Sequence, residues 1–200
     1  MKEPLKTHER MSRIFNHEEP DRVPMHDSPW GSTVQRWRKE GLPAGLSPGE
    51  FFGWDTIVRI NHDNSPRYPE KVIEETDEYV IRQTKWGVTL RNWREHGGVP
   101  EFLDFTITDH DSWAEAKERM KPGEDRVDWE HLRENYPKWK EQGAWIIAGA
   151  WFGYDVLASW TVGYERMLVA MVQDPDWARD MAQTQLDCNI GMMEMIWDRG

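Results

Sequence analysis

The chain has 200 residues, enough for one ordinary domain, and a net charge of -11 with 36 acidic against 25 basic side chains. That balance argues against a nucleic-acid or anionic-membrane surface, and the N-terminus has no apolar signal core. One cysteine, Cys188, excludes an internal disulfide framework and fits a reducing compartment, so a cytoplasmic location is expected.

Thr7 to Phe15 reads as a short helix capped at Thr7, with Met11, Ile14 and Phe15 on its apolar face. Asn16 to Asp27 follows as a polar turn and a short buried strand, Val23 to His26, bracketed by Pro20 and Pro24. His26 and Asp27 then stand at the carboxyl end of a first strand, where α/β folds place their chemistry. A helix is expected around Thr33 to Glu40, stopped by Gly41 and Pro43. Thr56 to Asn61 is β-branched and reads as a second strand, followed by His62 and Asp63.

From Val72 to Phe105 the pattern alternates, predicting a small antiparallel β-meander with Trp86-Gly87 at a turn or bulge and Gly97-Gly98-Val99-Pro100 at its end. Asp109 to Met120 and Trp129 to Gln142 read as helices. Ala144 to Ala150 is a continuous apolar run, the pattern of a strand buried on both faces, with Tyr154 and Asp155 just beyond it. Gly163 to Val172 reads as an amphipathic helix with Met167, Leu168 and Met171 inward. Asp174-Pro175 opens a long helix whose apolar stripe is Ala178, Ala182, Leu186, Ile190, Met193 and Trp197. Three strands alternating with helices cannot close a barrel. The expected fold class is therefore α/β, the N-terminal portion of a TIM (β/α)8 barrel with a meander inserted at about 70–105. The three strands should be parallel neighbours, and the isolated chain should self-associate through its open edge.

Several stretches, taken in order, resemble the uroporphyrinogen decarboxylase superfamily. They are Glu9-Arg10 to Phe15, Asn16-His-Glu-Glu-Pro-Asp-Arg-Val-Pro, the Trp86-Gly87 turn, Gly98-Val99-Pro100, Asp111-Ser-Trp113, Gly163-Tyr-Glu165 and Asp174-Pro175. The resemblance implies a TIM barrel longer than this chain, used either for porphyrinogen decarboxylation or for methyl transfer involving corrinoid proteins and thiols. The decarboxylase branch clamps substrate carboxylates with arginines in a loop after the first strand. Aligning that loop on Gly31 puts Ser28 and Ser32 at the arginine positions, so the clamp is missing. The family's catalytic aspartate after the second strand falls near His62-Asp63, one residue out of register. The methyltransferase branch uses a zinc site of His-x-Cys and a distant Cys, which the resemblance puts beyond Gly200; none of its ligands is in this chain.

The candidate catalytic residues are His26, Asp27, His62 and Asp63, with Trp30, Tyr154 and Asp155 as candidate substrate-binding residues and no metal ligands. His26 and Asp27 suit a proton donor and its orienting carboxylate. The competing reading is solvation of a strand end or helix capping, which also applies to Asp155. Cys188 reads as core, and His8, His17, His96 and His131 as surface. The resemblance thus favours a methyltransferase-like enzyme acting on a small molecule with a corrinoid-protein or thiol partner, and allows a homodimer. The alternatives are uroporphyrinogen decarboxylation and a non-catalytic fragment that assembles with another chain. The methyl donor and acceptor are not legible in the sequence.

Overall fold

The structure, a computed structural model, describes residues 4–95 and 98–199. His96 and Gly97, read above as surface and turn, lie outside the described residues. In chain order the elements are α1 (Thr7–Phe15), α2 (Gly31–Glu40), α3 (Pro48–Phe52), β1 (Ile57–Asn61), β2 (Lys71–Glu75), β3 (Tyr79–Gln83), β4 (Val88–Trp93) and β5 (Glu101–Phe105). They continue with α4 (His110–Arg119), a 3-10 turn at Glu124–Arg126, α5 (Trp129–Gln142), β6 (Trp145–Gly149), a π-helical turn at Val156–Val162, α6 (Tyr164–Gln173) and α7 (Pro175–Arg199). This is a mixed α/β chain with one parallel and one antiparallel sheet. No barrel closure is seen among the described residues. The chain forms two compact units, one from Met1–Asn61 with Asp128–Gly149, the other from His62–Val127 with Ala150–Gly200.

In the first unit β1 and β6 pair in parallel, from Ile57 opposite Trp145 to Asn61 opposite Gly149. Phe15 of α1 stacks on Trp145 with ring centroids 5.3 Å apart. The expected strand at Val23 to His26 does not form. That segment makes no ladder, and Val23 is exposed. Its one backbone bond to the sheet's approach is from the Asp55 N–H to the Met25 carbonyl, 2.6 Å. Nor is β6 buried on both faces. Trp145, Ile146 and Ile147 are half-buried and Ala148 is exposed, because a two-stranded sheet has no further strands to flank it. The N-cap of α1 is Lys6 rather than Thr7, with Glu9 at the third helical position reaching back to the Lys6 N–H at 3.0 Å. Thr7 instead accepts the Thr56 N–H at 3.0 Å.

In the second unit β2, β3, β4 and β5 form an antiparallel meander, one strand more than the alternation predicted. Gly98 to Pro100 therefore precedes a fourth strand and does not end it. The β3–β4 turn closes through Gly87, at φ +82, where a Cβ would sit 2.7 Å from the Tyr68 ring. Val88 and Leu90, fully buried, face Ile107, Trp113, Met120, Val156, Val162, Met167 and Met181 in one hydrophobic core. Asp109 caps α4 through the Ser112 N–H at 2.9 Å.

Two helix faces differ from expectation. In α6 the inward residues are Met167 and Ala170, while Leu168 and Met171 are exposed. In α7 the buried face is Ala178, Met181, Thr184, Gln185, Cys188, Asn189, Met192 and Ile196. Of the expected stripe only Ala178 is buried, and Ile190 and Trp197 are 45% and 86% exposed. Hydrophobicity alone selects the wrong face because the buried face carries three polar residues at its middle. Cys188 is buried, as expected.

Candidate functional site

The stretch that carried the resemblance is an ionic brace in the first unit. Arg10, 3% exposed, spans the carboxylate of Asp21 with Nε and Nη2 at 2.7 and 2.8 Å and turns Nη1 to Asp55. Asp55, equally buried, also accepts Arg22 Nη1 and the Met25 N–H, both at 2.8 Å, and the Thr7 hydroxyl at 3.1 Å. Burial alone would raise the Asp55 carboxyl. Hydrogen bonds from Met25, Arg10 and Arg22 outweigh it and hold the group below the ordinary carboxylate range. Arg10 holds Asp21 well below that range too. These charges fasten residues 20–25 to α1 and to the approach of β1.

Beyond the brace the chain is open. His26 and Asp27 are exposed, and among the described residues Asp27 accepts only the neighbouring Ser28 N–H, 2.7 Å. Trp30 is exposed at the N-cap of α2. No hydrogen bond joins His26, Asp27 or Trp30 to another candidate residue.

In the second unit His62 and Asp63 point to different partners. Asp63 accepts the Ser65 hydroxyl at 2.7 Å, Arg67 Nε at 3.0 Å and Lys85 Nζ at 3.0 Å. Burial would raise its carboxyl, but Ser65, Lys85 and Arg67 together hold it well below the usual range. It therefore stays ionised and serves as a fixed charge rather than a proton donor.

His62 is engaged by α7, through Nε2 and Asn189 Oδ1 at 2.8 Å. The local hydrogen bonds determine its tautomer. The Trp151 carbonyl can only accept, so the Asn64 amide nitrogen faces it at 2.5 Å. The same nitrogen donates to Asn189 Oδ1 at 2.8 Å, which fixes that oxygen as an acceptor. His62 Nε2 must then carry the proton, leaving Nδ1 with a bare lone pair in the neutral ring. Nδ1 is buried and unpartnered, as are Asn189 Nδ2 and Gln185 Nε2. Gln185 lies one helical turn before Asn189 and is fully buried, accepting a weak bond from the Gly153 N–H at 3.4 Å. A buried donor or acceptor without a partner costs about 1–3 kcal/mol. Three such atoms together are a sizeable fraction of the ~5–15 kcal/mol that holds a domain folded. Nothing in the sequence pattern pointed to Asn64, Gln185 or Asn189. The detectable signal was polar residues at i and i+4 inside an otherwise apolar helix face.

Tyr154 and Asp155 flank the π-helical turn. Asp155 Oδ1 accepts the Tyr164 hydroxyl at 2.6 Å and the Ser159 hydroxyl at 2.8 Å, and the Tyr154 and Tyr164 rings are 6.3 Å apart. The bond to Asp155 raises the Tyr164 phenol, while Tyr164 and Ser159 lower the Asp155 carboxyl. Tyr164 also lines a cleft of about 630 Å³ with Phe105, His110, Glu165, Asp174 and Trp177. There His110 Nε2 meets Asp174 Oδ2 at 2.7 Å, and the His110 ring packs on Trp177. The size is that of a small-molecule pocket. Asp174 also receives the Trp177 N–H at the start of α7, so the His110–Asp174 contact is in part a helix cap.

Among the described residues no group of three or more His, Cys, Asp or Glu side chains could hold a metal ion. No helix among them is long and apolar enough to cross a membrane. Compared with known protein families, curated proteins and solved structures, the chain matches none.

Proposed function

We propose that the chain is the first part of a uroporphyrinogen decarboxylase-like barrel enzyme of the methyl-transfer kind, acting on a small molecule with a corrinoid protein or a thiol as partner in the cytoplasm. The observation that carries the reading is the parallel pairing of β1 with β6, joined by a connection that contains the antiparallel meander. Parallel neighbours with helical connections are the repeating unit of a (β/α) barrel. In this reading the meander is an insertion in a single domain.

Within it His62, directly after β1, is the proton-transfer group, and Asp63 is a fixed negative charge beside it in sequence. In the first unit His26 and Asp27 are further catalytic candidates with Trp30 as a substrate contact, and in the second unit Tyr154 and Asp155 are candidate substrate contacts. Ser28 and Ser32 are both exposed and neither can clamp a carboxylate as an arginine does. Each missing charge-assisted contact removes about 1.5–3 kcal/mol, so a polycarboxylate substrate loses two to four decades of affinity. Zinc, where the parent protein uses it, would be held by residues outside this chain; it would activate a thiol for attack on a methyl group.

The test is to incubate the protein, with any sequence that extends it in its gene, with uroporphyrinogen and separately with methylcobalamin and a thiol. Demethylation of the cobalamin without loss of porphyrinogen carboxylates is expected. Ordinary enzymatic decarboxylation, abolished by Asp63→Asn, would overturn the reading.

A second reading, assembly with another chain, is favoured by the unpaired outer edges of β1 and β6 and by the exposed Trp197 on α7. A concentration-independent monomer in light scattering would remove it.

A further inference from the structure

We infer that the cleft of the second unit is a binding site for an uncharged, flat aromatic molecule that presents one N–H or O–H donor to His110. The inference goes beyond the methyl-transfer reading and does not depend on it, since no residue given a role there lines the cleft. Every lining residue belongs to the second unit.

The walls come from four elements. Phe105 ends β5, His110 begins α4, Tyr164 begins α6, and Trp177 stands in the first turn of α7. At about 630 Å³ the cleft has the volume of a small-molecule pocket, a class of site built from aromatic and apolar walls with a few placed polar groups. Gly163 lines it as well, at φ +92, and a Cβ there would stand 2.9 Å from the Phe105 ring, so a glycine lets the chain pass this close. Val169 and Ala170 extend the apolar wall along α6. Tyr164 contributes its ring rather than its hydroxyl, because the hydroxyl donates to Asp155 at 2.6 Å.

The charges around the cleft are matched within the protein. Asp174 accepts His110 Nε2 at 2.7 Å and the Trp177 N–H at 3.3 Å, at the positive end of α7. Glu165 occupies the first turn of α6, where the same helix polarity favours a carboxylate. Asp104 accepts the Phe105 N–H at 2.8 Å, and Arg166 turns Nη1 to the Val162 carbonyl at 2.9 Å. One guanidinium among three carboxylates disfavours an anion, and the helix ends offset those carboxylates for a cation. His110 supplies the fixed polar contact. A carboxylate only accepts, so in the neutral ring the proton sits on Nε2 and Nδ1 is a lone-pair acceptor. The bond to Asp174 and the packing on Trp177, with ring centroids 4.7 Å apart, hold the imidazole in that orientation. The complement of one fixed acceptor among aromatic walls is an aromatic ring carrying one donor.

The probe is indole, with 1-methylindole as the isostere that lacks the donor and indole-3-acetate as the anionic arm, added at neutral pH to the 200-residue chain. The readouts are the His110 ring-nitrogen resonances and the backbone amides of 163–170 in labelled protein, together with melting temperature. Saturable binding of indole that moves both sets of resonances is expected, about tenfold tighter than either analogue, the worth of one hydrogen bond. His110→Phe keeps a ring against Trp177 and removes the acceptor, so it should bind indole about tenfold more weakly and leave 1-methylindole unaffected. Val169→Trp fills the cleft from an exposed position on α6 and should abolish binding of all three probes without lowering the melting temperature. Equal binding of indole and 1-methylindole would overturn the proposal, as would tighter binding of indole-3-acetate, unchanged indole binding in Val169→Trp, or no saturable change with indole. The comparison of the three probes on the wild-type chain decides the matter even where a variant fails to fold. Because it involves no turnover, it succeeds or fails separately from the methyl-transfer assay.

Discussion

Arg10 and Asp55 meet as a buried ion pair across 45 residues of sequence, and Asp55 in turn holds the Met25 backbone from both sides. Removing Arg10 takes charge-assisted bonds from both Asp55 and Asp21, while Arg22, the Met25 N–H and the Thr7 hydroxyl still hold Asp55. Arg10→Ala should therefore cost about 1.5–3 kcal/mol in urea denaturation. Replacing both residues with apolar ones should restore much of that loss. A single variant within 1 kcal/mol of wild type would mean that the pair is not desolvated in solution.

The same pair gives the acid limb of stability its sign. The folded-state values of Asp55 and Asp21 lie below their unfolded values, so their contribution is complete above the ordinary carboxylate value near 4 and is lost as pH falls below it. Melting temperature measured from pH 7 down to pH 2 should fall only below about pH 4, and less steeply in Asp55→Asn. An equally steep fall in that variant would place the acid sensitivity elsewhere, with Asp63 the next group to examine.

Cys188 faces the interior of α7, and burial pushes its thiol up. A disulfide reagent at pH 8 should label it only at the rate at which the chain opens, and at once in denaturant. Rapid labelling of the folded protein would show that the buried face of α7 is accessible.

Tyr164 donates a hydrogen bond from its hydroxyl to Asp155, so ionising the phenol puts two negative charges together. Ultraviolet titration should show three tyrosines, Tyr68, Tyr79 and Tyr164, ionising above the ordinary value of about 10, and Asp155→Asn should lower one of them. A titration curve unchanged by the substitution would show that the pair does not form in solution.

Local rules made most of the helices legible. Asp109, Gly143 and Asp174-Pro175 mark their boundaries by capping chemistry that needs only the neighbouring residues. The β-branched run at Thr56–Asn61 and the apolar run at Ala144–Ala150 were legible as strands for the same reason, and so were three strands of the meander. Val23 to His26 failed as a strand because pairing is a property of neighbours, and here a carboxylate side chain takes the Met25 backbone bond a neighbouring strand would take. The inward face of α7 failed because periodicity counts hydrophobicity, whereas Gln185 and Asn189 are buried for their hydrogen-bonding atoms. His62 was legible by its place after a strand. The Asn64–Asn189 arrangement that sets its tautomer was not, because it joins residues 125 apart.

The two units are interleaved along the chain, each made of two segments with a segment of the other between them. The order in which the protein is synthesised therefore matters. When a ribosome has released β1, its partner strand β6 is still unmade, and the whole meander emerges first. Pairings between residues so distant in sequence are slow, since the intervening chain must be closed into a loop before any contact rewards it. The meander, whose strands pair with their successors, can form early, whereas the parallel pair must wait as an exposed strand. Refolding from denaturant should accordingly show the antiparallel sheet protected from hydrogen exchange before Ile57–Asn61, and nascent chains that end before Trp145 should be the ones that engage chaperones.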